Sequence, residues 1–311
     1  MPRRVITRLA GFRDRILPVS LREDAETQAF RAASAAEPAS SAAPAGAQWA
    51  DGVAQVLKTQ PTGGRRTDAA PEGAATGGMA DRVPALDWQG IAADLDAHGS
   101  ALIEGLLSAS EGRMLARWYA EDARFRSRVV MASHGFGRGE YKYFAYPLPQ
   151  TVATLRATIY AQLAPIANRW NGQLRNDACF PAAHGDFLAR CRAAGQTRPT
   201  PLLLQYGAGD YNCLHQDLYG ECVFPLQLTI LLSQPGEDFT GGEFIMTEQR
   251  PRMQSRAEVV PLHRGDAVMF AVHHRPVSGP RGVYRVNLRH GVSRLRSGHR
   301  HALGVIFHDA R

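Results

Sequence analysis

The sequence lacks the cysteine pairs that organise small metal or disulfide domains. Its four cysteines, in 311 residues, have no C-x-x-C spacing and are too few for a disulfide scaffold. Free thiols fit a reducing compartment, so we predict a cytoplasmic protein. No run of 18 or more apolar residues is present, which predicts no transmembrane helix and no membrane partner. The N-terminus also lacks the apolar core of a secretory signal.

Charge is not concentrated in one block either. The formal net charge is +7, and residues 84–311 contribute a surplus of five basic side chains to it. A surplus of this size is compatible with an anionic partner such as a nucleic acid but does not by itself predict one. Charged residues at 21% and hydrophobic residues at 44% are typical of a folded globular domain.

Large apolar residues are scarce in the first quarter of the chain. Residues 32–83 are dominated by Ala, Gly, Pro, Ser and Thr. Such a stretch cannot bury enough apolar surface to offset the entropy lost on ordering. We therefore predict a disordered, low-complexity tail over residues 1–83 and one folded domain over residues 84–311.

The folded part changes character along its length. Between residues 152 and 170, apolar side chains recur at three- and four-residue steps, which predicts a long helix with one buried face. Ser108 and Glu111 match a helix capping box, and residues 182–194 predict a further helix. After Pro199, short apolar segments are separated by Gly, Pro and Asp. Helices followed by seven or eight short strands predict an α+β fold whose β part is a sandwich, jelly roll or barrel.

One tripeptide in the β-rich part has the residue types of a metal site. His215-Gln216-Asp217 stands in the stretch YGAGDYNCLHQDLYG, and on an extended strand its first and third side chains point to the same side. These two ligands and a distant histidine would form a facial triad, which leaves coordination positions open and suits non-haem Fe(II). A second H-x-D, His184-Gly185-Asp186, lies in a predicted helix, where the two side chains diverge by roughly 200°, so we expect no metal there.

The order of motifs around this tripeptide resembles that of the Fe(II)- and 2-oxoglutarate-dependent dioxygenases, in particular their prolyl-hydroxylase-like branch. The family pattern is a tyrosine with a glycine-rich turn, H-x-D, Gly-Gly-Glu, a Gly-Asp strand, and a histidine followed ten residues later by Arg or Lys. This sequence has them as Tyr206, Gly207 and Gly209, His215 and Asp217, Gly241-Gly242-Glu243, Gly265-Asp266 through Phe270, His290 and Arg300. The resemblance covers about residues 200–307. It is nearest to an uncharacterised bacterial group of oxygenases associated with oxidative repair of damaged DNA.

The resemblance implies a double-stranded β-helix, or jelly-roll, core with supporting N-terminal helices. It also implies that His215, Asp217 and His290 bind Fe(II). Arg300 and Tyr206 would bind a carboxylate of the cosubstrate 2-oxoglutarate, and ascorbate is a candidate reductant. Arginine suits this role because its guanidinium grips a carboxylate through two parallel hydrogen bonds.

Several other histidines compete with His290 for the third ligand position. His273 is the main rival, because it ends the strand that follows Gly265-Asp266. Only His290 precedes an arginine at the family spacing, with Gly298 at a turn between them. The Gly241-Gly242 pair predicts a backbone turn near the site.

Two substrate classes remain open. The resemblance implies hydroxylation of a C–H bond of a protein side chain or small molecule, with release of succinate and CO2. The alternative is AlkB-like oxidative demethylation of damaged nucleic-acid bases. The His-to-Arg spacing favours the first, whereas the tripeptide His-Gln-Asp, found in AlkB-type demethylases, favours the second. A third alternative, a non-catalytic binding module, conflicts with the intact set of ligands.

Residues 124–146 interleave basic and aromatic side chains. They predict either a nucleic-acid contact surface or a strand–loop–strand at the rim of the pocket with solvated Arg and Lys. In either case we expect this segment to select the substrate.

Overall fold

The computed structural model describes residues 79–311, with side chains from Asp81 onwards. The predicted tail therefore lies outside the described residues except for its last five. Of those, Met79–Arg82 forms a short helix, α1, and Val83 is fully buried. The guanidinium of Arg82 donates to a carboxylate oxygen of Glu111 at 2.6 Å. Residues 82 and 83, at the end of the predicted tail, thus pack with the folded part.

Most of the described helices precede the main run of strands. After α1 they are α2 (Trp88–His98), α3 (Ala109–Arg117), α4 (Gln150–Gln173) and α5 (His184–Ala193). The predicted capping box at the start of α3 is present, with reciprocal bonds between Ser108 and Glu111. The predicted apolar stripe on α4 is buried from Val152 to Trp170. None of the helices in the described residues has the length and apolar character needed to cross a lipid bilayer.

The strands form two large antiparallel sheets and one small one. Their bounds are β1 (Ser100–Ile103), β2 (Phe125–Val130), β3 (Gly137–Arg138), β4 (Glu140–Phe144), β5 (Leu202–Tyr206), β6 (Tyr211–His215), β7 (Leu226–Leu231), β8 (Phe239–Gly241), β9 (Phe244–Gln249), β10 (Arg256–Val260), β11 (Ala267–Ala271), β12 (His274–Gly279), β13 (Gly282–Val292), β14 (Leu295–Gly298) and β15 (Arg300–Val305). The first sheet has the order β1-β11-β7-β15-β5-β4-β2, and the second has β10-β9-β13-β6-β3 with β12 beside β13. The small sheet pairs β14 with β8.

The two large sheets pack face to face. Phe270 on β11 and Phe244 on β9 meet with ring centroids 5.1 Å apart, so apolar side chains of both sheets share one core. The α+β fold with a jelly-roll core and supporting helices, predicted from the motif order, is confirmed.

Strand register decides which side chains face this core. Arg300 on β15 is the cross-strand partner of Tyr206 on β5. Tyr141 and Tyr143 on β4 pair with the residues two and four positions before Tyr206. Because side chains alternate between the two faces of a sheet, these four residues lie on the same face.

A β-bulge shapes the junction of β6 with β13. His215 is opposite His290, whereas Asn212 is opposite Val292, so three steps along β6 match two along β13. The extra residue on β6 shifts the alternation of its side chains by one position. Asn212 and His215 therefore point to the same side although they are three residues apart. Gly291 fits against the bulge, since a Cβ there would lie 2.7 Å from the carbonyl oxygen of Asn212.

Candidate functional site

His215, Asp217 and His290 come together at the end of β6. Their candidate ligand atoms all lie within 4.8 Å of one another. Nε2 of His215 is 3.5 Å from Oδ1 of Asp217, and Nε2 of His290 is 3.4 Å from Oδ2. The two imidazole rings, from paired strands, have centroids 4.2 Å apart. Two nitrogens and one carboxylate thus converge, which is the donor set of a non-haem Fe(II) facial triad.

Asp217 is fixed by further side chains. It lies just beyond the last residue of β6 rather than within an extended strand, as the H-x-D pattern suggested. The Tyr219 hydroxyl donates to Oδ1 at 2.7 Å, and Nε2 of Gln227 on β7 donates to Oδ2 at 2.9 Å. Burial alone would raise the pKa of Asp217, but its contacts with His290 and His215 and the hydrogen bond from Tyr219 hold that pKa below its usual range. The carboxylate is therefore ionised, as a metal ligand requires.

Both histidines are in a form that can bind a metal. Nδ1 of His215 is 2.8 Å from the carbonyl oxygen of Cys213. Since a carbonyl can only accept, Nδ1 carries the proton, and in the neutral ring Nε2 keeps its lone pair. Burial, followed by the neighbouring His215 ring, lowers the pKa of His290, which favours the neutral form of this ring.

The rival histidines lie elsewhere. His273 contacts His274, with ring centroids 3.4 Å apart, and does not belong to the ligand cluster. His184 begins α5, where its Nε2 is 2.8 Å from the carbonyl oxygen of Phe307. Burial lowers the pKa of His184 to about 4. The structure thus brings His290 to the cluster and leaves the decoy H-x-D in a helix, as predicted.

Arg300 and Tyr206 form a buried pair on the interior face of the first sheet. They are 1% and 0% exposed, and the guanidinium carbon is 5.6 Å from the centre of the phenol ring. Nε of Arg300 and the hydroxyl of Tyr206 have no hydrogen-bond partner within the described residues. Burial raises the pKa of Tyr206 to about 12, against the opposing effects of Arg300 and then Asn212, so the hydroxyl keeps its proton and can donate.

A buried cation without a hydrogen-bonded anion is unfavourable. Burial lowers the pKa of Arg300, and the neighbouring Tyr206 and then Glu243 offset only part of that decrease. A carboxylate ligand would complete the site by accepting from the guanidinium and the Tyr206 hydroxyl. This requirement fits one end of 2-oxoglutarate.

Glycines make room for these two side chains. A Cβ on Gly242, whose φ is 65°, would lie 3.2 Å from Cδ of Arg300, and one on Gly139 would lie 2.8 Å from the ring of Tyr206. The predicted Gly241-Gly242 turn near the site is therefore present, and its function is close backbone approach. A cavity of about 390 Å³ lies beside Arg300 and this turn.

Lys142 and the two tyrosines that flank it on β4 lie on opposite faces of the sheet. Tyr141 and Tyr143 are on the face that carries Tyr206. Burial raises the pKa of both, and the charge of Asp217 raises it further. Both tyrosines are therefore close enough to Asp217 for its charge to act on them.

Lys142 points the opposite way. It is 8% exposed, and its Nζ contacts Oδ1 of Asp122 at 2.6 Å and the carbonyl oxygen of Tyr119 at 2.9 Å. The expectation of a solvated lysine was wrong, because alternation along β4 directs this side chain beneath the short 3-10 segments before β2. Arg128 is exposed, but its Nε donates to Glu140 at 2.7 Å.

Sequence reasoning missed the residues that support the ligands. Tyr219 follows Asp217 at two residues, so the same i, i+2 spacing could have suggested it. Gln227 had a clearer signal, since it is one of two polar residues, with Thr229, in the mainly apolar strand β7, all of whose residues are buried. Asn212 had no signal, because it reaches the site only through the β-bulge.

The class of this enzyme follows from a jelly roll that brings two histidines and an aspartate together and buries an arginine for which the described residues supply no anion. It is an Fe(II)- and 2-oxoglutarate-dependent oxygenase, an oxidoreductase. The comparisons with known proteins specify the family.

Residues 139–310, more than half of the chain, match the family described as "Oxygenase, catalysing oxidative methylation of damaged DNA", and the chain belongs to that family. An uncharacterised protein of Mycobacterium tuberculosis is 50% identical over 196 residues, which cover 61% of this chain and 84% of that protein. Similar solved structures include a prolyl-4-hydroxylase from Pseudomonas putida, with 14% identity, a TM-score of 0.44, and coverage of 72% of this chain and 99% of that one. Another is a 2OG-Fe(II) oxygenase-family oxidoreductase from Burkholderia pseudomallei, with 17% identity, a TM-score of 0.41, and coverage of 76% and 94%.

Proposed function

We propose that this oxygenase hydroxylates a C–H bond of a small molecule or a protein side chain, with release of succinate and CO2. In this proposal His215, Asp217 and His290 bind Fe(II), and Arg300 and Tyr206 bind 2-oxoglutarate. The observation that carries the assignment is the buried Arg300, whose guanidinium lacks a hydrogen-bonded anion within the described residues. Ascorbate remains a candidate reductant.

Each residue has a defined task. His215, Asp217 and His290 would hold the metal and leave coordination positions for other ligands. Tyr219 and Gln227 orient Asp217 through its two carboxylate oxygens. Bound Fe(II) and 2-oxoglutarate would supply the oxidising chemistry with O2 as the oxidant: one oxygen atom enters succinate as 2-oxoglutarate loses CO2, and the other enters the hydroxylated substrate.

The preference for a small molecule or protein side chain rests on two observations. His290 and Arg300 have the ten-residue spacing of the hydroxylase branch. Basic side chains in the 124–146 segment are also largely neutralised, since Lys142 is paired with Asp122 and Arg128 with Glu140. A long nucleic acid strand would need several free cations along its path.

A second candidate function is oxidative demethylation of a damaged nucleic-acid base. The family description names damaged DNA, which supports this candidate directly. Tyr141 and Tyr143 would offer aromatic surfaces for a flipped base. Formaldehyde is released by this reaction and not by simple C–H hydroxylation, so its measurement separates the two candidates.

The test is succinate formation by protein that has been loaded anaerobically with Fe(II), with and without methylated single-stranded oligonucleotides. We expect slow turnover of 2-oxoglutarate without substrate and none in His215→Ala or Asp217→Ala. His98→Ala is the matched control, since His98 is an exposed histidine at the end of α2. Unchanged turnover in both ligand variants would refute the metal assignment. Formaldehyde above the uncoupled background would favour the second candidate.

We also propose a catalytic domain that includes the residues from Met79 onwards and a cytoplasmic location. The location is supported by the four cysteines, which are all free.

A further inference from the structure

Arg126 on β2 is a partly buried arginine without a carboxylate partner in the described residues. Its Nε donates to the carbonyl oxygen of Pro199 at 3.0 Å, and its Nη1 is 3.4 Å from the hydroxyl of Ser127. Its guanidinium carbon lies 4.5 Å from the centre of the Tyr143 ring. These three contacts hold the guanidinium in place. They leave its Nη2 without a protein acceptor in the described part of the chain.

A second arginine lies beside the first. Arg198 directly precedes Pro199, and its backbone is fixed by two hydrogen bonds of 2.9 Å with Ala310. Burial lowers the pKa of Arg126, and the charge of Arg198 lowers it further, although Tyr143 and Asp309 oppose this. The side chain of Arg198 is exposed. Asp309 is already paired with Arg156 at 2.9 Å, so a bound anion would offset the repulsion between the two neighbouring arginines.

Arg126 lies next to Tyr143 and away from Arg300 along the first sheet. Tyr143, under the Arg126 guanidinium, contacts Tyr141 with ring centroids 5.3 Å apart, and the charge of Asp217 contributes to the raised pKa of both tyrosines. Arg300 lies at a different position along the strands of the same sheet. Along β5, the partner of Tyr143 is four residues from the partner of Arg300, which corresponds to about 13 Å.

We propose that Arg126 and Arg198 bind an oxyanion of the substrate, a carboxylate or a phosphate, while Tyr143 contacts the adjoining part of the same molecule. This inference rests on the proposed function and narrows its substrate class to anionic compounds. A guanidinium held at a fixed angle is suited to oxyanions, because it can donate two parallel hydrogen bonds. The metal-ligand cluster on the other side of Tyr143 would then lie next to the reacting C–H bond.

The test uses metal-free, full-length protein saturated with 2-oxoglutarate, so that Arg300 is occupied and no turnover occurs. Inorganic phosphate and acetate are titrated separately, and binding is followed by NMR of the arginine Nε–H groups. We expect phosphate or acetate to shift the Arg126 signal. Arg126→Gln should weaken binding on the order of tenfold and Arg198→Gln about threefold. Arg113→Gln, which changes an exposed arginine on α3, is the matched control.

The tighter of the two probes identifies the oxyanion as phosphate or carboxylate. Equal dissociation constants in the wild type, Arg126→Gln and Arg198→Gln would overturn the inference. If Arg126→Gln fails to fold, the dissociation constants of Arg198→Gln test the inference. The Arg198 side chain is exposed, so its replacement should not disturb packing. Binding is measured without iron, so absent succinate formation would count against the proposed function and leave the anion site unaffected.

Discussion

Replacing Arg300 with methionine should weaken the binding of 2-oxoglutarate while iron binding persists. Methionine keeps most of the aliphatic stem that packs against Gly242 but removes the guanidinium. The loss is confined to the bonds that the guanidinium would make to the cosubstrate carboxylate.

The expected size follows from the burial of the site. Arg300 is 1% exposed, so its bonds to a carboxylate are shielded from water. Loss of two charge-assisted hydrogen bonds at such a site costs about 2–4 kcal/mol. This corresponds to a dissociation constant for 2-oxoglutarate that is higher by a factor of about 30 to several hundred. The ligand-free Arg300→Met variant should be more stable than the ligand-free wild type, because an unpaired buried charge is removed.

The assay is calorimetric titration with 2-oxoglutarate in the presence of Mn(II) as a redox-stable substitute for Fe(II), together with thermal unfolding of the ligand-free protein. Arg296→Met is the control, since Arg296 is an exposed arginine on β14 in the same region. If Arg296→Met weakened 2-oxoglutarate binding and Arg300→Met did not, the ten-residue spacing would have identified the wrong arginine.

Three further predictions concern the support of the site and the limits of the fold. Tyr219→Phe should weaken Fe(II) binding on the order of tenfold, measured by anaerobic titration, because it removes the donor to Oδ1 of the aspartate ligand. Deletion of residues 1–78 should leave the melting temperature and uncoupled turnover nearly unchanged, because that segment is poor in large apolar residues. Burial lowers the pKa of His184 to about 4 and of His308 to about 3, so the unfolded chain binds protons that the folded chain does not. The free energy of unfolding should therefore fall as the pH drops from 6.5 through 4, by on the order of 2 kcal/mol per histidine at pH 5, as measured by thermal unfolding.

Each of these predictions has a matched control. Tyr211→Phe changes an exposed tyrosine on β6 and should leave Fe(II) binding unaltered. Deletion of residues 1–83 removes the buried Val83 as well, so it should lower the melting temperature where the shorter deletion does not. His184→Gln should flatten the pH dependence. Equal Fe(II) affinities for Tyr219→Phe and the wild type, a large loss of stability on the shorter deletion, or stability that is constant between pH 7 and 5 would contradict the respective prediction.

The metal-ligand cluster was predictable because its residue types and spacing carry the chemistry. His215 and Asp217 are two positions apart in the sequence, and Arg300 follows His290 by ten positions, which is a family spacing. Long helices and apolar strands were also predictable, since α4 has a continuous apolar stripe and β7 is mainly apolar.

The other contacts of the site, and the direction of the side chains on β4, depend on which strands become neighbours. Gln227 contacts Asp217 only because β7 lies in the same core, and Asn212 faces the core only because of a bulge against β13. Lys142 and Tyr143 are consecutive, and the sequence alone does not state which of them faces the core. That choice is fixed by the pairing of β4 with β5, which is a property of the whole sheet.

In the proposed metal site, the cross-strand pairing of His215 with His290 would link the supply of iron to the lifetime of the protein. The two residues are far apart in sequence, and they can hold one ion only while β6 and β13 are paired. A metal that binds only the folded state stabilises it by about 2.7 kcal/mol at a free concentration one hundred times its dissociation constant. Iron starvation would therefore increase the population of unfolded chains that cellular proteases degrade. The amount of the enzyme, as well as its activity, would then follow the iron status of the cell.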